Sequence, residues 1–542
     1  MDGVTKVPAP VNEAVLGYAP GSSERAAVEA ALDQLYEADP VELTAAIGGD
    51  RRLGSGSTFD VTMPSEHEHV LGRSAGSTAA DTTEAIKAAA AAAPDWAALD
   101  FDDRAAIFLK AAELLAGPWR QVLNAATMLG QGKTVQQAEI DAACELIDFL
   151  RFNVGFAREI HANQPMSTRG VWNRTDYRPL DGFVYAITPF NFTAIAGNLP
   201  TAPALMGNTV LWKPSPTQQL AAHFTMDLLQ AAGLPAGVIN MLPGDGLEVS
   251  EVALQHEDLA GIHFTGSTVT FQHLWQTVGS RIQHYRSYPR LVGETGGKDF
   301  VVAHASADPE VVRTALIRGA FEYSGQKCSA ASRAYIARSV WDKMSTGLIE
   351  QTEALTVGDV RDFSNFTSAV IDQRAFTKHR DAIQRARASA DATIIAGGGT
   401  DDSKGWFVRP TLIQSDNPRN EIFTTEYFGP ILGIYVYDDA DFDTVLTEVD
   451  RAAPYGLTGA ILADDRQVLD QAARVLRHAA GNFYLNDKPT GAVVGQQPFG
   501  GSRASGTNDK AGSMWNLIRW TSPRSIKETL VPPTSHGYPH MG

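Results

Sequence analysis

Residues 183–213 read FVYAITPFNFTAIAGNLPTAPALMGNTVLWK. Two short apolar runs, FVYAI (183–187) and TVLW (209–212), are separated by a segment of helical length. Further runs follow at VINML (238–242), GIHF (261–264), RLVG (290–293) and FVVA (300–303). The segments between the first five runs read as amphipathic helices, TQQLAAHFTMDLLQAAG (217–233) among them. Apolar runs alternating with helices are the signature of βαβ crossovers, so a parallel, doubly wound α/β sheet is expected. Ligands of such sheets sit beyond the carboxyl ends of the strands, and the residues just after each run carry the most information.

Outward from this stretch the same texture recurs. AYIA (334–337), ATIIAGG (392–398) and ILGIYVY (431–437) predict a second α/β unit over 305–450. Upstream, 22–50 reads as a helix with Val28, Leu32 and Leu35 on one face. It is followed by a polar, glycine-containing break. Residues 81–93 predict a helix that stops at Pro94, and further helices are expected at 101–116 and 135–156. In the last of these, Ile140, Cys144, Ile147 and Leu150 share a face, which makes Cys144 a small buried residue. RGVWNRTDYRPL (169–180) and SIKETLVPP (525–533) alternate like exposed β-ribbon and hold too little apolar content to form a core alone.

Each strand end carries a distinctive group. Asn191 follows FVYAI, within TPFNF. Lys213 and Ser215 follow TVLW, in a turn fixed by two prolines. Gly266 and Ser267 follow GIHF at a helix start, where free N–H groups favour an anion. Glu294 follows RLVG, beside two glycines that permit close approach. Cys328 lies in EYSGQKCSAASR, among small polar residues with no apolar stripe. Singly, these are common as caps, turns and solvated ends, and no GxGxxG fingerprint is present. Their order at successive loops of one sheet is the informative feature.

Composition narrows the field. The 542 residues allow two to four domains. Forty-five basic against 62 acidic side chains give a net charge of −17, a field that repels nucleic acid and anionic lipid. No uncharged apolar run approaches the ~20 residues that span a bilayer. The first residues lack the pattern of an export or organelle signal, so a cytoplasmic location is expected. Two cysteines make neither a disulfide framework nor a four-thiolate zinc site, and no metal is expected. One cysteine is enough for thiol catalysis.

TPFNF, LWKPS, FTGS, LVGETGGK, GQKCS and TTEYFGPIL occur in the order in which the aldehyde dehydrogenase superfamily carries them. The chain resembles that family from about residue 50 to about 530. The stretch NFYLNDKPTGAVVGQQPFGGSRASGTNDKAG looks like its Δ1-pyrroline-5-carboxylate dehydrogenase branch, which oxidises L-glutamate γ-semialdehyde to L-glutamate with NAD in proline degradation. The resemblance implies a Rossmann-type NAD-binding domain (181–291, with 499–522 returning to it), preceded by N-terminal helices and its first part (1–168). It also implies a catalytic domain (292–498) and oligomerisation pieces at 169–180 and 523–542. The assembly would be a homodimer or a higher homo-oligomer, with a proline dehydrogenase as possible supplier of substrate.

The resemblance also assigns roles. Cys328 would be the nucleophile, Glu294 the general base, and the Asn191 amide with the Cys328 backbone N–H the oxyanion donors. For NAD it implies Lys213 at the adenosine ribose, Ser215 also in the cofactor site, and Gly266 and Ser267 at the pyrophosphate. Glu426 and Phe428 fall at the nicotinamide ribose, and Ile187, Thr188, Pro189 and Phe190 around the nicotinamide. Pro216 stands where many relatives carry a glutamate that grips both ribose hydroxyls. For the substrate, Ser329 with the Thr490-Gly491-Ala492 loop would hold the carboxylate and ammonium, Phe192 and Phe499 would sandwich the chain, and Glu145 would stand at the tunnel mouth. Ala492 replaces the serine common in relatives. Other readings are a succinate semialdehyde dehydrogenase, for which Lys488, Arg503 or Lys510 would supply a cation, a CoA-acylating enzyme, and a catalytically silent family member.

Overall fold

The computed structural model describes residues 5–542. Two seven-stranded sheets organise the chain. In the first, the strands run Arg290–Glu294, Leu259–Thr265, Phe183–Ile187, Thr209–Lys213, Ile239–Met241, Ala45–Ile47 and Asp50–Arg52 across the sheet. The first five are mutually parallel. The chain steps outward from Phe183–Ile187 in one direction, then returns to build on its other side. That reversal places the topological switch between Phe183–Ile187 and Leu259–Thr265, where the loops after the strands part and open a crevice.

The second sheet runs Thr393–Ala396, Thr411–Gln414, Ile431–Tyr437, Ala331–Ala337, Asp299–Ala303, Thr458–Leu462 and Asn482–Leu485. It is parallel except for the edge strand Thr393–Ala396. The run at 300–303 therefore opens this sheet and does not extend the first. Glu294 ends the first sheet and Asp299 starts the second, so the passage between the two units lies at 295–298, a few residues beyond the expected 292. Central strands of both sheets are buried throughout, as strands covered on both faces must be. Leu517 and Trp520 join the core around Trp212, returning the chain's last helix to the first sheet.

Three helix expectations are corrected. The first helix ends at Glu37, and 41–52 forms three short strands. Pro40 restricts the residue before it, and Ile239–Met241 and Glu66–Ala75 offer waiting edges to 41–47. The alanine-rich helix runs Ala79–Ala98, straight through Pro94. Pro94 is exposed, near the helix end, and Trp96 anchors the last turn by donating its indole N–H to the Ala204 carbonyl at 2.9 Å. The segment expected at 135–156 is Val135–Ala138, a π-helical stretch Glu139–Glu145, and Leu146–Ala162. The wider turns rotate Ile140 off the apolar face; it is 38% exposed, whereas Cys144 is buried as expected. The helix at Phe101–Ala116 has the expected bounds.

The two ribbon pieces pair with each other. Val171–Arg178 and Ser522–Thr529 form an antiparallel ladder with Ser522 opposite Arg178 and Thr529 opposite Val171. A three-stranded sheet of Val41–Leu43, Glu66–Ala75 and Thr58–Met63, unread in the sequence, shares an apolar cluster with the helices Ser23–Glu37 and Arg120–Gln131.

Candidate active site

A cavity of about 630 Å³ opens between the sheets. Its wall includes Cys328, Glu294, Ser329, Gly491, Ala492, Phe499, Phe192 and Glu145, so the proposed substrate residues and two of the three catalytic candidates converge on one space. Two glycines make this possible. A Cβ on Gly296 would collide with the Glu426 carboxylate, and one on Gly297 with Asp299 and the Cys328 carbonyl. The loop carrying Cys328 can therefore lie against the link between the sheets only because that link has no side chains at Gly296 and Gly297.

Cys328 follows a short 3-10 turn, Glu322–Gly325, in which Tyr323 and Ser324 hold positive φ. Thr367 and Ser368 grip Ser324, whose N–H donates to Thr367 Oγ1 at 2.7 Å. Asn191 does not line the cavity. It is buried, and its Nδ2 donates to the Gln326 carbonyl at 3.0 Å, two residues before Cys328. One amide hydrogen holds the cysteine loop and the second remains for another acceptor. Ser329 Oγ and Thr490 Oγ1 are 2.7 Å apart, joining the loop after the cysteine to the loop of Gly491 and Ala492. Gly491 needs its left-handed φ of +101° there.

The charges around the cavity are strongly displaced. Burial pushes the Cys328 thiol up, and the carboxyls of Asp299, Glu294, Glu426 and Glu145 add to it, so the thiol rests protonated. Burial also holds Glu294 well above the usual carboxyl range, against the Gly501 N–H and the Lys510 ammonium, which favour its anion. Glu145 is pushed up to about 8, by burial and then by Asp141. A thiol, a carboxyl whose affinity for a proton burial has raised, and hydroxyl and backbone donors thus share one enclosed space. That set suits addition to a carbonyl followed by hydrolysis of the resulting acyl group.

Two charged pairs escaped the sequence reading, one on the cavity wall and one behind its Phe192. Lys327 and Glu322 pair at 2.9 Å beside Cys328. Lys133 is buried against Asp141 at 2.7 Å and lies over the rings of Phe192 (4.0 Å) and Tyr323 (4.6 Å). Asp141 also accepts the N–H groups of Thr193 and Ala194, capping the helix that follows Phe192. Only adjacency to Cys328 could have flagged Lys327; nothing in periodicity marks Lys133. Of the three cations considered for a succinate-type substrate, Lys488 lines the cavity. Arg503 is tied to Asp450, and Lys510 donates to the Gly481 and Gly500 carbonyls.

The cofactor candidates are spread over the loops after the first sheet's strands and the loop before Ile431–Tyr437 of the second. Lys213 is buried, bonded to the Pro214 carbonyl, and lowered to about 8 by burial. Ser267 caps the helix Thr268–Ser280, and Gly266 N–H donates to the Glu294 carbonyl at 3.2 Å. Leu247 and Val269 stand exposed nearby in sequence at the starts of two helices. Phe190 and Phe428 meet edge to face at 5.8 Å and share a smaller cavity with Ser215 and Lys378. Ile187 ends its strand and Pro189 follows it. Thr188 is turned inward, its hydroxyl accepting the Trp212 indole N–H. Glu426 accepts the Gly297 N–H at 2.9 Å. Among the described residues no cluster of metal-ligating side chains occurs, and no helix is long and apolar enough to cross a membrane.

Comparison with known proteins places these features. The model of the aldehyde dehydrogenase family matches residues 52–526. The probable delta-1-pyrroline-5-carboxylate dehydrogenase of Schizosaccharomyces pombe is 49% identical over 539 residues, covering 98% of each chain. The mitochondrial delta-1-pyrroline-5-carboxylate dehydrogenase of Bos taurus is 49% identical over 531 residues, 98% of this chain and 94% of that one. The crystal structure of the Delta-pyrroline-5-carboxylate dehydrogenase from Mycobacterium tuberculosis bound with NAD is similar with a TM-score of 0.97 and 62% identity, over 100% of both chains. With the family model matching residues 52–526 and about half of the residues identical over nearly the whole length of these relatives, the chain belongs to the aldehyde dehydrogenase family.

Proposed function

We propose that this protein oxidises L-glutamate γ-semialdehyde to L-glutamate with NAD, through a thiohemiacetal and a thioester on Cys328. The observation that carries the reading is the single cavity joining Cys328 and Glu294 to the Ser329–Thr490 pair and the Gly491 loop. A substrate with an aldehyde at one end and both carboxylate and ammonium at the other finds a partner for each group. Ser329, Thr490 and backbone N–H groups serve the carboxylate, and Glu145 serves the ammonium. Succinate semialdehyde would leave Glu145 unused.

The Cys328 sulfur adds to the aldehyde carbon as its proton passes to water. The oxyanion is met by the Cys328 backbone N–H and the remaining Asn191 amide hydrogen, donors of a kind worth roughly 10²–10³ in rate. Lys213, the Gly266-Ser267 turn, Glu426 and the Phe190–Phe428 pair would hold NAD, which supplies the hydride acceptor. The buried lysine with one carbonyl partner and the helix start at Ser267 fit a cofactor that carries ribose and pyrophosphate. Glu294 then takes a proton from water as the water oxygen attacks the thioester carbon, and the Cys328 thiol is released. The first sheet with its return at 499–522 is the cofactor-binding unit, the second sheet the catalytic unit, and the ribbon the assembly element. A cytoplasmic, homo-oligomeric enzyme fed by a proline dehydrogenase completes this reading; fractionation and light scattering test its first two parts.

Two variants test the chemistry. Cys328→Ala should abolish NADH formation while leaving NAD binding nearly intact. Glu294→Gln should keep a pre-steady-state burst of NADH and lose turnover. Full steady-state activity in either overturns the assignment. A substrate panel of glutamate semialdehyde, succinate semialdehyde and acetaldehyde tests specificity, and preference for either of the last two defeats it.

A further inference from the structure

Residues 5–22, before the first helix, form no helix or strand, yet side chains among them are bonded into the body of the protein. Glu13 pairs with Arg120 and Arg151 at 2.7 Å each, and the buried Tyr18 donates to Glu139 at 2.6 Å. Asn12 is the residue that reaches the cavity wall. Its Nδ2 donates to Asp148 Oδ2 and to the Val494 carbonyl, both at 2.8 Å, and its Oδ1 accepts from Gln496 Nε2 at 3.0 Å. The Glu13 N–H fastens the other Asp148 oxygen at 2.7 Å. One amide thus uses both hydrogens and its oxygen to tie together three elements distant in sequence.

The partners matter because of where they sit. Asp148 is on the helix Leu146–Ala162, next to Phe149 on the cavity wall. Val494 belongs to the irregular loop that continues from Thr490, Gly491 and Ala492, also on the wall. That loop has few bonds of its own, chiefly the Gln496 and Gln497 N–H groups on the Val493 carbonyl. A loop without ladder bonds holds one conformation only if side chains from elsewhere fix it. Thr490 is fixed by Ser329 at one end, and Val494 to Gln496 by Asn12 at the other. Aspartate at position 12 would face the Asp148 carboxylate and the Val494 carbonyl with no hydrogens to offer, and an aliphatic residue would offer nothing, so the geometry demands an amide.

We infer that the N-terminal strap, through Asn12, is a positioning element for the part of the site that binds the substrate's carboxylate. It sets affinity for glutamate semialdehyde without touching the reacting atoms. The inference rests on the substrate reading above.

The test is Asn12→Ala in the full-length protein, assayed with glutamate semialdehyde and with propionaldehyde, which has no carboxylate. KM for glutamate semialdehyde should rise about tenfold, the scale of one or two lost hydrogen bonds. Its kcat, and both parameters for propionaldehyde, should change less than about twofold. L-Glutamate should also lose potency as an inhibitor of propionaldehyde oxidation. An equal loss on both aldehydes would mean a merely structural role and overturns the inference, as does no change on either. If Asn12→Ala fails to fold, Gln496→Ala removes one bond from the exposed side and should show the same split at about threefold; an unchanged KM ratio there overturns it. A wild type with no preference for glutamate semialdehyde would overturn the substrate reading and this inference together. Selectivity that survives Asn12→Ala overturns this inference alone.

Discussion

Burial raises the Glu294 carboxyl well above the usual glutamate range, while two neighbours, the Gly501 N–H and Lys510, pull it back towards the anion. Its task in the proposed mechanism requires the carboxylate. Turnover should therefore rise with pH through a limb lying well above the ordinary glutamate value, and not be lost there. Lys510 opposes the burial by its charge, so Lys510→Met should move that limb to higher pH. A pH–rate profile of kcat checks this; a uniform drop without a shift would show that Lys510 only braces the Gly481 and Gly500 carbonyls. Ser329 gives a second test at this scale. Removing its hydroxyl takes one donor from the carboxylate and one partner from Thr490. Ser329→Ala should raise KM for glutamate semialdehyde ten- to a hundredfold, the equivalent of roughly 1.5–3 kcal/mol. Propionaldehyde should barely notice, and an equal effect on both would assign Ser329 to placing Cys328.

At the scale of elements, the helix Thr193–Leu205 shows how a polar pair organises the site. It begins immediately after Phe192, and its first N–H groups are capped from outside by Asp141, on the π-helical stretch. Lys133 neutralises that carboxylate while lying on the Phe192 ring. The two partners are not equivalent. Asp141→Asn strands a fully buried ammonium and weakens a helix cap, at a cost of about 3–5 kcal/mol. Lys133→Met leaves the carboxylate with its two backbone donors and should cost less, about 1–3 kcal/mol. Denaturant unfolding of both variants checks the order, and a larger loss for Lys133→Met would contradict it.

For the molecule as a whole, the ribbon of Val171–Arg178 and Ser522–Thr529 stands out because none of its residues is buried. Trp172 is 52% exposed on it, and Leu530 and Val531 follow just beyond. Because the two strands pair within the chain, truncation after Ser522 strips the partner from its own residues 171–178 and leaves a bare edge. Such edges associate wrongly, so the truncated chain should lose its native assembly and aggregate. Light scattering decides it: a well-dispersed, active protein of unchanged mass would remove the ribbon from the assembly.

What was readable in the sequence was whatever is written locally. Apolar runs at helix spacing named the parallel strands of the first sheet, because a strand buried on both faces must be apolar throughout. The groups after those runs named Glu294, Lys213 and the Gly266-Ser267 turn, because the topology sends strand ends to one side. Cys328, Ser329 and the 490–492 loop were recognisable by their motifs. The proline in the helix Ala79–Ala98, the strands at 41–52 and the rotated Ile140 were not readable, since a distant partner or a widened turn outweighed local preference in each. Nor could any spacing reveal that Lys133 meets Asp141 under Phe192, or that Asn12 reaches Val494 across 482 positions of chain. Polar contacts leave no periodic trace. They exist because folding brings unsatisfied donors and acceptors together where water cannot serve them, and only the tertiary structure decides which ones meet.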